Sequence, residues 1–239
     1  GKDGLVGIEL NDAHLAQTVG AIGLAIILFE GGLSTSWRRL REVVVPVAML
    51  STIGVLITAV LTGFIAYALL DLSLLSAFLL GAVVSSTDAA AVFATLRYTK
   101  IKRRLARTLE AESGGNDPTA IALTIGLISW IESTAFGPID FVQLLVQQIG
   151  LGLLFGLLMG AAAMYIFARL PKSLGSFAPV TSLAAFALTF GITNLIGGSG
   201  FLAVYMVGLA IGSTPSRYRH HLVTFHEGLA FIAQVAMFV

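Results

Sequence analysis

EAESGGNDPTA, residues 110–120, decides how this sequence is read. It holds three carboxylates (Glu110, Glu112, Asp117), a Ser, an Asn, two adjacent glycines and a Pro. It runs directly into IALTIGLISWI, residues 121–131, which is as apolar as a membrane span. Such polarity beside such apolarity needs an explanation that composition alone begins to supply. Soluble domains carry about 25% charged residues. This chain of 239 residues carries 11%, is 56% hydrophobic and has a mean hydropathy of +0.92. It reads as an all-α, polytopic membrane protein.

The same composition excludes several functions. A net charge of +1 gives no support for a nucleic-acid partner. With no cysteine there is no disulfide, thiol or Cys-metal chemistry. No P-loop, G-x-S-x-G or H-E-x-x-H occurs, so nothing points to an enzyme. The opening GKDGLVGIELND lacks the basic start and apolar core of a signal peptide. The sequence opens in a loop and stops within the apolar run LAFIAQVAMFV. It is expected to be a piece of a longer protein.

A spanning helix needs about 20 mostly apolar residues. Eight candidates follow: Ala13–Leu33, Val43–Leu70, Leu74–Leu96, Leu105–Ile131, Phe141–Leu170, Ala178–Ile196, Phe201–Gly212 and Leu222–Val239. Charge supports that number. Arg38, Arg39 and Arg41 follow the first span, and Arg97, Lys100, Lys102, Arg103, Arg104 and Arg107 follow the third. Arg169 and Lys172 follow the fifth, and Arg217 and Arg219 the seventh. The loops between lack Lys and Arg, and Lys2 alone breaks the alternation. Basic loops stay cytoplasmic. Loops 34–42, 97–107, 169–177 and 213–221 therefore face inward, and the N-terminal, 71–73, 132–140 and 197–200 loops face outward. The expected location is the cell (cytoplasmic) membrane, with the lipid bilayer as partner.

Asp117 lies ten residues past Arg107, a rise of about 15 Å and so half of a hydrocarbon core of about 30 Å. Asp88 lies nine residues before Arg97, at about 13 Å. Two carboxylates on successive helices thus approach the midplane, where each costs about 2.5–3.5 kcal/mol. Glu112 and Glu30 lie nearer the cytoplasm. Neutral, hydrogen-bonded burial is the plain alternative, but the neighbours suit a cation. SSTD, residues 85–88, offers three hydroxyls and a carboxylate. Ser113 and Asp117 are four apart on one helix face, as are Glu112 and Asn116 on an adjoining one. Pro118 frees the carbonyl of Gly114, and Gly114 and Gly115 are expected to loosen the helix. SSTDAA has poor helix propensity, which suggests an unwound turn. Irregular backbone at this depth is tolerated where it lines a cavity or is buried in protein, and broken midplane helices recur in secondary transporters.

LFEGGL (28–33), SSTDAAAVFATLR (85–97) and EAESGGNDPTAIALT (110–124) together resemble the monovalent cation/proton antiporters, in particular the NhaP-type branch. FHEGLAFIAQVAMFV (225–239) is similar to a segment of the potassium/proton members linked to cell volume regulation. The resemblance covers nearly the whole chain. It implies a transmembrane helix bundle with a broken helix at the midplane, an NhaA-like antiporter fold, of which residues 1–239 form part of one domain. It implies Asp117 as the carboxylate that takes either cation or proton, Ser113 as a side-chain ligand and Thr87 as a main-chain ligand at the helix break. These three would hold the K⁺ or Na⁺ transiently. Asp88 is the acid at that break, Glu30 joins through water, and Glu112 and Asn116 are polar support. Asn rather than Asp at 116 implies electroneutral exchange. No cofactor is expected beyond the transported ions. The family has further helices before the first span and after the eighth, including a second broken helix and a supporting Arg, so these residues alone are not expected to transport.

Two other readings are open. An intramembrane aspartyl protease also pairs two aspartates, but no G-x-G-D surrounds either one. A cation channel would use similar ligands. Gly152, Gly156 and Gly160 share one face of the fifth span. Ordinary packing explains such a stripe, a dimer contact is the alternative, and a homodimer is the expected assembly. His220, His221 and His226 are expected to anchor the cytoplasmic interface, with a pH-sensor role as the alternative.

Overall fold

The computed structural model describes residues 13–87, 102–133, 135–214 and 218–238, and the described residues form helices and connecting turns. The helices are α1 (Ala13–Ser34), α2 (Trp37–Leu40), α3 (Val44–Met49), α4 (Val55–Leu69), α5 (Leu74–Val84), α6 (Arg103–Glu132), α7 (Pro138–Arg169), α8 (Ala178–Leu195), α9 (Gly200–Ser213) and α10 (Arg219–Phe238). A π-helical turn, Leu50–Gly54, joins α3 to α4, and a 3₁₀ turn, Lys172–Phe177, precedes α8.

Six of the eight expected spans fall on helices with both ends within three residues. The third, Leu74–Leu96, is helical over Leu74–Val84 and lies outside the described residues from Asp88 on. The eighth starts within three residues of the start of α10 and ends at a residue outside the description. Local signals set several of those ends. Ser73 caps α5 by accepting from the Ser76 amide at 3.2 Å, and Ser199 caps α9 through the Leu202 amide at 3.3 Å. Pro138 opens α7, and the Asp140 carboxylate accepts from the Gly137 amide at 2.8 Å. By length and apolarity alone, four segments could cross a membrane: His14–Ser34, Val44–Leu69, Pro138–Arg169 and Gly175–Leu195. α5 and α9 are apolar but shorter. α6 is the polar one, and it is packed among α3, α5 and α7.

The bundle has two apolar cores. In the larger, α1, α7, α8, α9 and α10 enclose Phe29, Leu33, Phe167, Phe186, Ile211 and Leu222. In the smaller, α4, α5 and α6 enclose Val55, Ala82, Leu123 and Leu127. A third cluster joins them, with Val43, Val47 and Ala111 against Leu209. α1 and α9 cross at glycines: a Cβ on Gly32 would strike the Tyr205 carbonyl, one on Gly208 the Phe29 carbonyl and one on Gly212 the Leu33 carbonyl. Backbones this close maximise dispersion contact, which is how helices associate where water offers no driving force.

The Gly152, Gly156 and Gly160 stripe has an internal use. A Cβ at Gly156 would sit 2.8 Å from Met206 Cβ, one at Gly152 would sit 2.9 Å from the Ser199 carbonyl, and one at Gly160 would sit 3.0 Å from Ala210 Cβ. The stripe packs α7 on α9, so it is no evidence for a dimer contact.

Candidate functional site

α5 stops at Val84. Ser85 turns back on it, its hydroxyl donating to the Ala82 carbonyl at 2.7 Å, and Ser86 and Thr87 are out of helix. The expected unwinding at SSTD is therefore present through Thr87. Asp88, the acid expected at the break, lies outside the described residues.

These unwound residues face the middle of α6. The Ser86 hydroxyl donates to Asp117 Oδ1 in a short hydrogen bond and lies 3.3 Å from Asn116 Oδ1. Asn116 is fully buried. Its Nδ2 donates to Thr87 Oγ1 at 2.5 Å and to Glu112 Oε1 at 2.9 Å. Asn116 thus uses both ends of its amide to tie the broken end of α5 to α6. Burying an amide without partners costs about 1–3 kcal/mol, so this closed network is what makes its burial tolerable. Asp117 itself is half-buried at the edge of the network. Ser113 lies one turn before it on α6, and its side chain is outside the description.

Glu30 stands elsewhere. It is on α1, where its Oε1 accepts from Ser34 at 2.5 Å, and α1 packs chiefly on α9 and α10. Its charged neighbour across that interface is Glu227 of α10.

Two expectations need correction. α6 is a continuous helix through Gly114, Gly115 and Pro118. The two glycines are sockets: a Cβ on Gly114 would lie 3.3 Å from the Tyr205 ring, and one on Gly115 would lie 2.9 Å from Ser51 Oγ. His226 is no interface anchor. It is buried at 1% exposure, its Nε2 is 2.8 Å from Ser182 Oγ, and its ring packs 4.9 Å from that of Phe29. His220 and His221 are exposed.

Sequence reasoning passed over Ser86 as an individual ligand and missed Ser51 and Tyr205. Ser86 had a signal in its place within SSTD. Ser51 and Tyr205 had none, because each acquires its role from a helix remote in sequence.

A family model described as the transmembrane sodium/hydrogen exchanger matches residues 2–239. The chain belongs to the sodium/hydrogen exchanger family. Among curated relatives of this exchanger chain, the K⁺/H⁺ antiporter NhaP of Alkalimonas amylolytica is 40% identical over the whole chain. The K⁺/H⁺ antiporter NhaP2 of Shewanella sp. (strain ANA-3) is 38% identical, again over the whole chain. The chain spans 42% of the length of each of these relatives. The Na⁺/H⁺ antiporter ApNhaP of Aphanothece halophytica is 32% identical over 99% of the chain and 46% of its own length. Among solved structures, the sodium proton antiporter MjNhaP1 of Methanocaldococcus jannaschii at pH 8 superposes with a TM-score of 0.81 at 26% identity. That match covers 93% of this chain and 56% of MjNhaP1. The exchanger family consists of transporters, which leaves neither the protease nor the channel reading with support.

Proposed function

We propose that these residues are part of one antiporter domain that exchanges K⁺ or Na⁺ for H⁺ across the cell membrane, electroneutrally, in the service of pH, ion and volume homeostasis. One observation carries the reading: an unwound α5 end brings the Ser86 hydroxyl to Asp117 and the Thr87 hydroxyl to the buried Asn116 amide, in the middle of a helix bundle. Hard monovalent cations take oxygen ligands of that kind. A proton and a cation then compete for the Asp117 carboxylate, because each neutralises a charge that is costly to leave bare at this depth.

In this reading Asp117 binds cation or proton, and Ser113 and Thr87 are direct ligands. Asp88 sits at the break, Glu30 joins through water, and Glu112 and Asn116 hold the others in place. The transported ions are the only small molecules required, with no resident cofactor. Helices that flank these residues in the longer relatives would complete the site. The K⁺/H⁺ relatives are 38–40% identical and the Na⁺/H⁺ relative 32%, which favours K⁺. The working assembly is a homodimer whose contact lies away from the Gly152–Gly160 stripe, and mass measurement of the solubilised protein checks it.

The test is made on the full-length protein in sealed vesicles under an imposed pH gradient. K⁺ or Na⁺ should dissipate the gradient in wild type and fail to do so in Asp117→Asn. A response that survives Asp117→Asn removes that carboxylate from the mechanism.

A further inference from the structure

α3, the π turn and α4 bury residues at a spacing of four: Val47, Ser51, Val55, Ala59 and Gly63. An α-helix has 3.6 residues per turn, so positions four apart drift by about 40° at each step. Over this run such a stripe would wind away from any one neighbour. A π turn, bonded i to i+5, is wider and rotates the following residues back. The π turn Leu50–Gly54 falls in the middle of the run and keeps one stripe facing α5 and α6.

Ser51 is the polar member of that stripe. It is 5% exposed. The neighbouring hydroxyls Thr52 and Thr58 donate within their own helix, to the Ala48 carbonyl at 2.6 Å and the Gly54 carbonyl at 3.0 Å. Ser51 crosses to α6 and donates to the Glu112 carbonyl at 3.2 Å. It fits there because residue 115 is Gly, where a Cβ would lie 2.9 Å from Ser51 Oγ. The stretch of α6 that Ser51 touches holds both Glu112 and the buried amide hub Asn116, one residue before Asp117.

We infer that Ser51 is a positioning residue of the ion site: the π turn aims its hydroxyl at α6, where it fixes the Glu112–Asn116 stretch and so sets how tightly a cation is held at Asp117. This rests on the exchange reading above. A side chain that fixes ligand geometry without touching the ion acts on cation affinity, since a misplaced ligand set binds less well. It leaves the maximal rate little changed once the site is saturated.

The test uses the full-length protein in sealed vesicles, following gradient dissipation against K⁺ and Na⁺ concentration. Ser51→Ala should raise the apparent KM five- to tenfold, with maximal rate and folded yield as in wild type. Thr52→Ala, whose hydroxyl serves its own helix, should leave KM unchanged. Gly115→Ala should raise KM as well, by displacing Ser51. With Ser51 Oγ removed, the nearest remaining atom to that Cβ is Ser51 Cβ at 3.5 Å, an ordinary contact. The double variant Ser51→Ala/Gly115→Ala should therefore match Ser51→Ala alone. If Ser51→Ala yields no folded protein, Gly115→Ala carries the KM measurement. A wild-type KM in Ser51→Ala, a fall in maximal rate at constant KM, or additive effects in the double variant would each overturn the inference while leaving the exchange reading intact. A wild-type protein indifferent to every cation, in intact vesicles, would sink the exchange reading and this inference with it.

Discussion

α6 and α7 are nearly equal in length, at 30 and 32 residues, and both depend on glycine, but they use it in opposite ways. α7 spaces Gly152, Gly156 and Gly160 by four, so all three open on one neighbour, α9. α6 sets Gly114 and Gly115 side by side, about 100° apart around the helix. It therefore receives two neighbours at one level: Tyr205 of α9 at the first glycine and Ser51 of the π turn at the second. A glycine stripe joins two helices along their length. A glycine pair lets a single turn be gripped from two sides, and that turn lies between Glu112 and Asn116.

The contrast predicts that damage to α6 appears first in transport and damage to α7 first in stability. The largest effect belongs to Asp117→Asn, which should reduce cation-driven gradient dissipation by at least about 100-fold while the protein stays folded, since an amide cannot exchange a proton for a cation at this site. Folded but fully active protein would end the claim that α6 carries the chemistry. Asn116→Ala comes next. It leaves Glu112, Thr87 and Ser86 without their amide partner. At about 1 kcal/mol for each of the two donated bonds, exchange should weaken by roughly 10- to 30-fold, read as a rise in apparent KM.

On α7, Gly156→Ala drives a Cβ to within 2.8 Å of Met206 Cβ and 3.1 Å of Ala203 Cα. Overpacking of this kind costs about 1–3 kcal/mol. It should lower the thermal midpoint in detergent by several degrees and leave the cation KM of the surviving protein alone. A changed KM at an unchanged midpoint would erase the distinction between the two helices. Gly150→Ala is the smallest effect and the control. A Cβ there meets nothing within 4 Å, and removing the glycine restricts the unfolded chain, so the midpoint should hold or rise slightly.

The site was legible where chemistry is spelled in adjacent residues. Ser85–Thr87 and Glu112–Asp117 carry their polarity in short runs inside apolar surroundings, and poor helix propensity at SSTD pointed to the end of α5. The two glycines beside Asn116 were misleading. Read locally, Gly114 and Gly115 weaken a helix, yet the packed neighbours that fill the sockets hold α6 continuous. His226 was misleading for the same reason. A histidine seven residues after Arg219 resembles an interfacial residue until Phe29 and Ser182 are seen to enclose it.

Taken alone, the sequence determined the membrane class of the protein, the placement of most of its helices and the polar stretch that bears Asp117. Hydropathy is a local property, and the cost of charge in lipid makes it decisive. Tertiary structure alone decided that Ser51 reaches α6 while Thr52 and Thr58 serve their own helix. It also decided that Asn116 is the hub of the network, that Glu30 bonds on α1, and that the α7 glycines face inward. Each of these depends on which remote backbone comes within about 3 Å, the range of a hydrogen bond. That distance is set by the packing of whole helices.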